Sequence, residues 1–179
     1  MNIRSVWTLF WVNSQSHTEC GAGIGRISNA LLTKVYARTD ILEPASNLMG
    51  KARENLAGNP NMGSYYQQGM QEFSFERKYD TIWIQWVIGH LTDNDFIAFL
   101  TKCRENLNPN GVIVIKDNAC DKYGFWLDKA DYSVARSVKY YHALFQHAGF
   151  EEIVTEKFSE FPPTMLPIFK FVIRPQKQI

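Results

Sequence analysis

The 179-residue chain has only three cysteines, Cys20, Cys103 and Cys120. They are too few and too scattered for a disulfide framework or a zinc knuckle, and no metal site is expected. A reducing setting, cytoplasmic or nuclear, is the expectation. No apolar run approaches the roughly 20 residues of a transmembrane helix, so no membrane partner is predicted. Residues 6–12 follow Arg4 as a short apolar run, at the short end of a signal-peptide core and not read as one. Nineteen Lys and Arg stand against eighteen Asp and Glu without forming a run. Phosphate-driven affinity needs clustered cations, so no nucleic-acid partner is expected either. Internal repeats and low-complexity segments are also missing.

What is present suits one globular domain. An apolar fraction of 45% and a charged fraction of 21% exclude disordered and fibrous classes, and the length supports a single core. The organising stretch is 79–93, Tyr-Asp-Thr-Ile-Trp-Ile-Gln-Trp-Val-Ile-Gly-His-Leu-Thr-Asp. Residues 81–87 are β-branched and aromatic without a polar period, the pattern of a strand buried on both faces of a parallel sheet. Gly89 permits a turn, His90 falls at the carboxyl end of the strand, and Thr92 with Asp93 offers a cap for a helix over 96–107. That edge is where open α/β sheets bind ligands.

The remaining pattern alternates strands and helices. A Gly21-x-Gly23-x-Gly25 loop opens a helix, 34–42 reads as a strand stopped by Pro44, and Ser46 is the expected cap of a helix over 47–56. A strand follows over 62–68, then a loop at 69–73. A turn at 108–111 precedes a buried strand over 112–115. An irregular connection runs to Asp131, a helix is read over 133–147, and strands close the chain near 152–158 and 168–174. This order predicts a doubly wound parallel sheet whose last two strands form an antiparallel hairpin.

The glycine loop lets backbone approach a ligand and aims helix N–H groups at it. Alone it suits a plain strand-to-helix turn equally well. Glu43 ends the next strand at roughly the 20-residue offset of a ribose-hydroxyl acceptor, and the glycine spacing favours S-adenosylmethionine over a dinucleotide.

Five blocks carry a family likeness: Glu19-Cys-Gly-Ala-Gly-Ile-Gly-Arg26, Leu42-Glu43-Pro44, Gly69-Met70-Gln71-Glu72-Phe73, Trp83 to Asp93, and Pro109 to Asn118. Together they resemble the protein α-N-terminal methyltransferases, collinearly over 19–174. That family methylates the α-amine of proteins that begin Xaa-Pro-Lys once the initiator methionine is gone. The resemblance implies an α/β, Rossmann-like class I S-adenosylmethionine-dependent methyltransferase with a mostly parallel, seven-stranded-type sheet. Its cofactor is S-adenosyl-L-methionine and its partners are protein N-terminal peptides. Gly21, Gly23, Arg26, Glu43, Met70, Gln71 and Gln85 match cofactor positions, with Arg26 expected on the methionine carboxylate. Trp86, Asn118, Asp128, Asp131 and Ser133 match substrate positions, the acids receiving the substrate lysine. His90 and Asp131 match the general bases.

Elementary chemistry agrees with that division. An ammonium cannot attack a sulfonium methyl, so a group with a pKa near the working pH must take its proton, and histidine suits the task. Asp128 and Asp131 on their own read as a solvated loop face. Trp83 and the cysteines read as core, and Phe161-Pro162-Pro163 as a rigid loop.

The chain departs from the family at its start. Residues 13–18 are polar where a buried first strand belongs, so that strand is expected to be missing or atypical. Residues 1–18 form an atypical segment ahead of a methyltransferase domain at 19–179. Either 6–12 supplies a substitute strand or the chain is truncated, and truncation is the expectation. Glu19 replaces an aspartate, and Leu166 stands where animal enzymes carry a substrate-contacting tyrosine. Two other functions fit the composition: an inactive paralogue or isoform acting as a binding partner, and a small-molecule methyltransferase.

Overall fold

Strand-forming residues at 79–85 sit where their pattern places them, in the middle of a sheet with a parallel neighbour on each side. The computed structural model describes residues 15–120, 124–162 and 165–177. The apolar run at 6–12 and Pro163 lie outside the described residues.

The chain runs β1 (Ser16–Cys20), a π-helical turn (Ser28–Leu32) continuing as α1 (Thr33–Val35), β2 (Arg38–Leu42), α2 (Ser46–Asn55), β3 (Met62–Tyr66) and β4 (Tyr79–Gln85). A 3-10 turn (Ile88–His90) leads into α3 (Asp93–Glu105) and β5 (Leu107–Asn118). Then come β6 (Phe125–Asp128), β7 (Ser133–Arg136), α4 (Val138–His147), β8 (Phe150–Phe158) and β9 (Ile168–Pro175). Seven strands form one sheet in the order β3-β2-β1-β4-β5-β9-β8, and β6 with β7 forms a separate ribbon. The first five strands of that order are parallel, while β9 is antiparallel to both β5 and β8. This is the Rossmann-like, mostly parallel sheet that the sequence predicts, closed by the expected antiparallel pair.

A first strand is present, and it is the atypical one. Ser16 pairs with Arg38 of β2, and Cys20 with Leu42 and Ile84, so the strand crosses the boundary drawn between residues 18 and 19. Its polar side chains are accommodated singly. The buried His17 ring stacks on Tyr36 at 4.8 Å. Glu19 accepts from Ser28 Oγ at 2.5 Å and from Ser28 N at 3.1 Å, reaching the helix that the glycine loop opens.

Four local expectations change. Residues 34 and 35 finish a helix instead of starting a strand, with Asn59 and Asn61 donating to Thr33 Oγ1 and to the Thr33 carbonyl. Ser46 does not cap α2: it is the first helical residue after Ala45, whose N–H donates to Glu43 Oε1. The connection before Asp131 contains β6. Residues 133–136 form β7, not the first turn of a helix, since they pair antiparallel with β6, and Ser137 caps α4 by accepting from Tyr140 N. At α3 the expected Thr92 cap is made, accepting from Asp95 N.

The larger core cluster fills the sheet face under α3 and α4, around Phe96, Phe99, Tyr141 and Phe145. Each such ring contributes about 1.5–3 kcal/mol on burial. The opposite face packs Trp83, Val114 and Val172 with Leu32 and Tyr36. Trp83, Cys20 and Cys103 are core residues, as read. With both faces of β4 filled, its carboxyl end is fixed at the sheet's edge, where Trp86 begins.

Candidate active site

Trp86 follows β4 with φ of 53°, a left-handed conformation that a bulky side chain rarely adopts. Neighbouring contacts hold it. Its N–H donates to Lys116 O at 3.0 Å. Asp117 Oδ2 accepts the next two amides, Val87 N at 3.2 Å and Ile88 N at 3.1 Å. Burial pushes the Asp117 carboxyl up to about 6, against the opposing pull of the Asn118, Ile88 and Val87 amides and of nearby His90. The Lys116 ammonium sits among three rings, 4.6 Å from Phe158, 5.4 Å from Trp86 and 5.5 Å from Phe161. Burial there, with Arg26 and Lys170 nearby, lowers its pKa.

The turn carrying His90 is clamped from β7. Arg136, buried, donates Nε to Asp93 Oδ1 at 2.8 Å and Nη2 to Leu91 O at 2.7 Å. Tyr140 donates to the other Asp93 oxygen at 2.5 Å. Gly89 lets β7 come close: a Cβ there would stand 3.2 Å from Val134 O and 3.3 Å from Ser133 Cβ.

These elements enclose an open cavity of about 840 Å³. Six of the residues singled out from sequence line it together: Trp86, His90, Asn118, Asp128, Asp131 and Ser133. The Ser133 hydroxyl and N–H hold the exposed Asp131 carboxyl below the usual carboxylate range. Asn118 Nδ2 donates to Leu166 O at 3.1 Å, joining the β5 end to the opposite wall. Asp117, Trp126 and Met165 also line the cavity and were not foreseen. For Asp117 a signal existed: an acid inside a buried strand needs donors, and only the strand ends supply them. Arg136 gave none, because its strand was read as helix.

The other predicted residues lie outside the cavity lining. Gly21 has φ of 74°, and a Cβ on it would lie 2.7 Å from Val87 Cγ1. Gly23, at φ 56°, has open space on that side, as a backbone awaiting a ligand requires. Glu43 Oε2 accepts Gly23 N at 2.9 Å, which sets the β2 acid against the loop. Burial pushes Glu19 up to about 7, with the Ser28 hydrogen bonds and Arg26 pulling the other way. Met70 and Gln71 are fixed from behind by Lys102, whose Nζ donates to Met70 O, Gln71 O and Phe73 O at 2.8–3.0 Å. Gln85 is buried and accepts from Trp83 Nε1 at 3.2 Å. Arg26 makes no ion pair among the described residues, and its guanidinium lies 5.8 Å from the Trp86 ring. An open glycine backbone, an acid on the neighbouring strand and the Arg26 cation fit a ligand bearing a ribose and a carboxylate. Trp86 joins this group to the cavity.

Comparison with known proteins follows the same lines. The family model described as AdoMet dependent proline di-methyltransferase matches residues 9–174. The chain is 42% identical to an alpha N-terminal protein methyltransferase 1 of Dictyostelium discoideum, over 90% of this chain and 60% of that one. It is 40% identical to an N-terminal Xaa-Pro-Lys N-methyltransferase 1-B of Xenopus laevis, over 87% of this chain and 70% of that one. A solved SAM-dependent methyltransferase of Leishmania major superposes with a TM-score of 0.88 at 35% identity, covering 96% of this chain and 69% of that one. The chain thus spans three fifths of the Dictyostelium relative's length.

Proposed function

The chain belongs to the AdoMet dependent proline di-methyltransferase family, and from that we propose that it methylates the α-amine of protein N-termini beginning Xaa-Pro-Lys. The observation that carries the reading is Trp86, which lines the cavity on one side and meets the Arg26 guanidinium on the other. S-adenosyl-L-methionine would supply an electrophilic methyl group. Gly21, Gly23, Arg26, Glu43, Met70, Gln71 and Gln85 are the residues that would hold it.

Asp128 and Asp131 draw a cationic peptide into the cavity, where the lysine's ammonium meets carboxylates and the amine end reaches Trp86 and His90. Asp131, held below the usual carboxylate range by Ser133, stays anionic at neutral pH and serves attraction well. Proton removal falls to His90, whose imidazole nitrogen can accept it. Asn118, anchored to Leu166 O, presents its remaining amide atoms to the peptide backbone. Transfer then depends on alignment more than on covalent help from the chain. A reducing cytoplasmic or nuclear setting suits the three free cysteines.

The test is mass spectrometry of an Xaa-Pro-Lys peptide incubated with cofactor and protein. Methyl-sized increments confined to the N-terminal residue are expected. Cofactor binding with no peptide methylation would favour a small-molecule substrate, and absence of cofactor binding would favour a non-catalytic partner. Asp131→Asn should raise the peptide KM and leave cofactor affinity nearly intact; equal loss of both would remove Asp131 from the substrate side.

A further inference from the structure

Peptide chemistry at the α-amine and the lysine leaves one wall of the cavity without a role. Along β6, Trp126 and Asp128 share one face and both line the cavity. Trp126 is nonetheless 59% exposed, and Met165 and Leu166, which line the same cavity, are 45% and 36% exposed. An exposed aromatic ring and two exposed aliphatic side chains lining one open cavity are a place where an apolar group can lose water.

The spacing says which peptide residue reaches it. Residues two apart on a strand point the same way and stand roughly 6.6–6.8 Å apart. An extended peptide has the same repeat. For a peptide laid along β6 and running from Asp128 towards Trp126, the third side chain meets Asp128, the fifth is level with Trp126, and the fourth points away.

We infer that Trp126, with Met165 and Leu166, forms a subsite for an apolar side chain at the fifth position of the protein N-terminus. This rests on the peptide-methylating function proposed above. Binding at such a subsite is equal in ground and transition states, so it acts on KM and leaves kcat alone.

Two hexapeptides test it, Ala-Pro-Lys-Ser-Leu-Ser and Ala-Pro-Lys-Ser-Ser-Ser. The leucine peptide should show a KM lower by about fivefold to tenfold at an unchanged kcat, the size expected for one partly buried aliphatic anchor. Trp126→Ala should bring the KM ratio to about one, and Trp126→Phe should restore most of it. Equal KM values with the wild-type chain, or a ratio that survives Trp126→Ala, would overturn the subsite alone. Methylation of neither peptide would overturn the proposed function and the subsite with it.

Discussion

β1 and β6 invert each other. Ser-His-Thr-Glu-Cys lies between two parallel neighbours with four of its five residues buried. Phe-Trp-Leu-Asp pairs only with β7 and leaves all four residues exposed. Composition assigns each to the wrong environment. The number of strand neighbours decides the matter, because a central strand is stripped of water whatever its side chains, and its polar groups must then find partners inside. Glu19 finds Ser28, whereas the His17 ring stacks on Tyr36 with neither nitrogen hydrogen-bonded among the described residues. A strand with one neighbour keeps its apolar side chains in water, where a ligand can use them.

Placing the same charge in each strand should separate them most widely. Cys20→Asp puts an unpaired carboxylate where no surface is exposed. The expected cost is about 3–5 kcal/mol, a large share of the ~5–15 kcal/mol that holds a domain together. Leu127→Asp in the exposed strand should fall within about 0.5 kcal/mol of wild type. Urea denaturation of the two variants reads the difference, and similar midpoints would end the contrast.

Asp117 links the regions, since it braces the turn leading from β4 to the cavity. Asp117→Asn replaces an acceptor by a donor facing Val87 N or Asn118 N. Losing one or two hydrogen bonds to a buried carboxylate costs about 1.5–3 kcal/mol, or roughly 10- to 100-fold in kcat/KM for peptide. Cofactor affinity, measured by calorimetry, should change far less. A parallel fall in both would mean that the turn supports the glycine loop instead.

The smallest effect concerns pH. Burial lowers His17 from 6.5 to about 3, so the unfolded chain binds this proton first, and the stability that neutral His17 permits declines as pH falls from 6.5 towards 3. One unit below 6.5 that loss is about 1.4 kcal/mol. Glu19, raised from 4.5 to about 7, works in the opposite sense: its burial penalty is relieved as pH falls through 7 towards 4.5. His17→Phe should therefore gain stability relative to wild type at about pH 5.5 compared with neutral pH, where the histidine is uncharged. A constant difference between the two chains across that range would show that His17 does not govern acid lability.

The strands and helices with long, consistent patterns were legible in advance: β4 from its unbroken β-branched run, α3 from its Thr92 cap, and β8 with β9 as the pair closing the chain. Residues 133–136 were not, because Ser-Val-Ala-Arg fits a helix or a strand equally until β6 supplies a partner. The six cavity residues were named from motif likeness, and their convergence depends on a hairpin that the sequence did not announce. Trp86 was named and lines the cavity, but its left-handed backbone was invisible, since it follows from the Lys116 and Asp117 contacts and not from any local propensity. Asp117 itself was passed over as the end of a buried strand.

Lys102 gives the loop at 69–73 its character. An ammonium has three hydrogens, and here each has a carbonyl, those of Met70, Gln71 and Phe73. The loop's conformational entropy is thereby surrendered when the chain folds. A ligand arriving beside Met70 and Gln71 does not have to order them, and the affinity it gains there is undiminished by the cost of stilling a mobile segment.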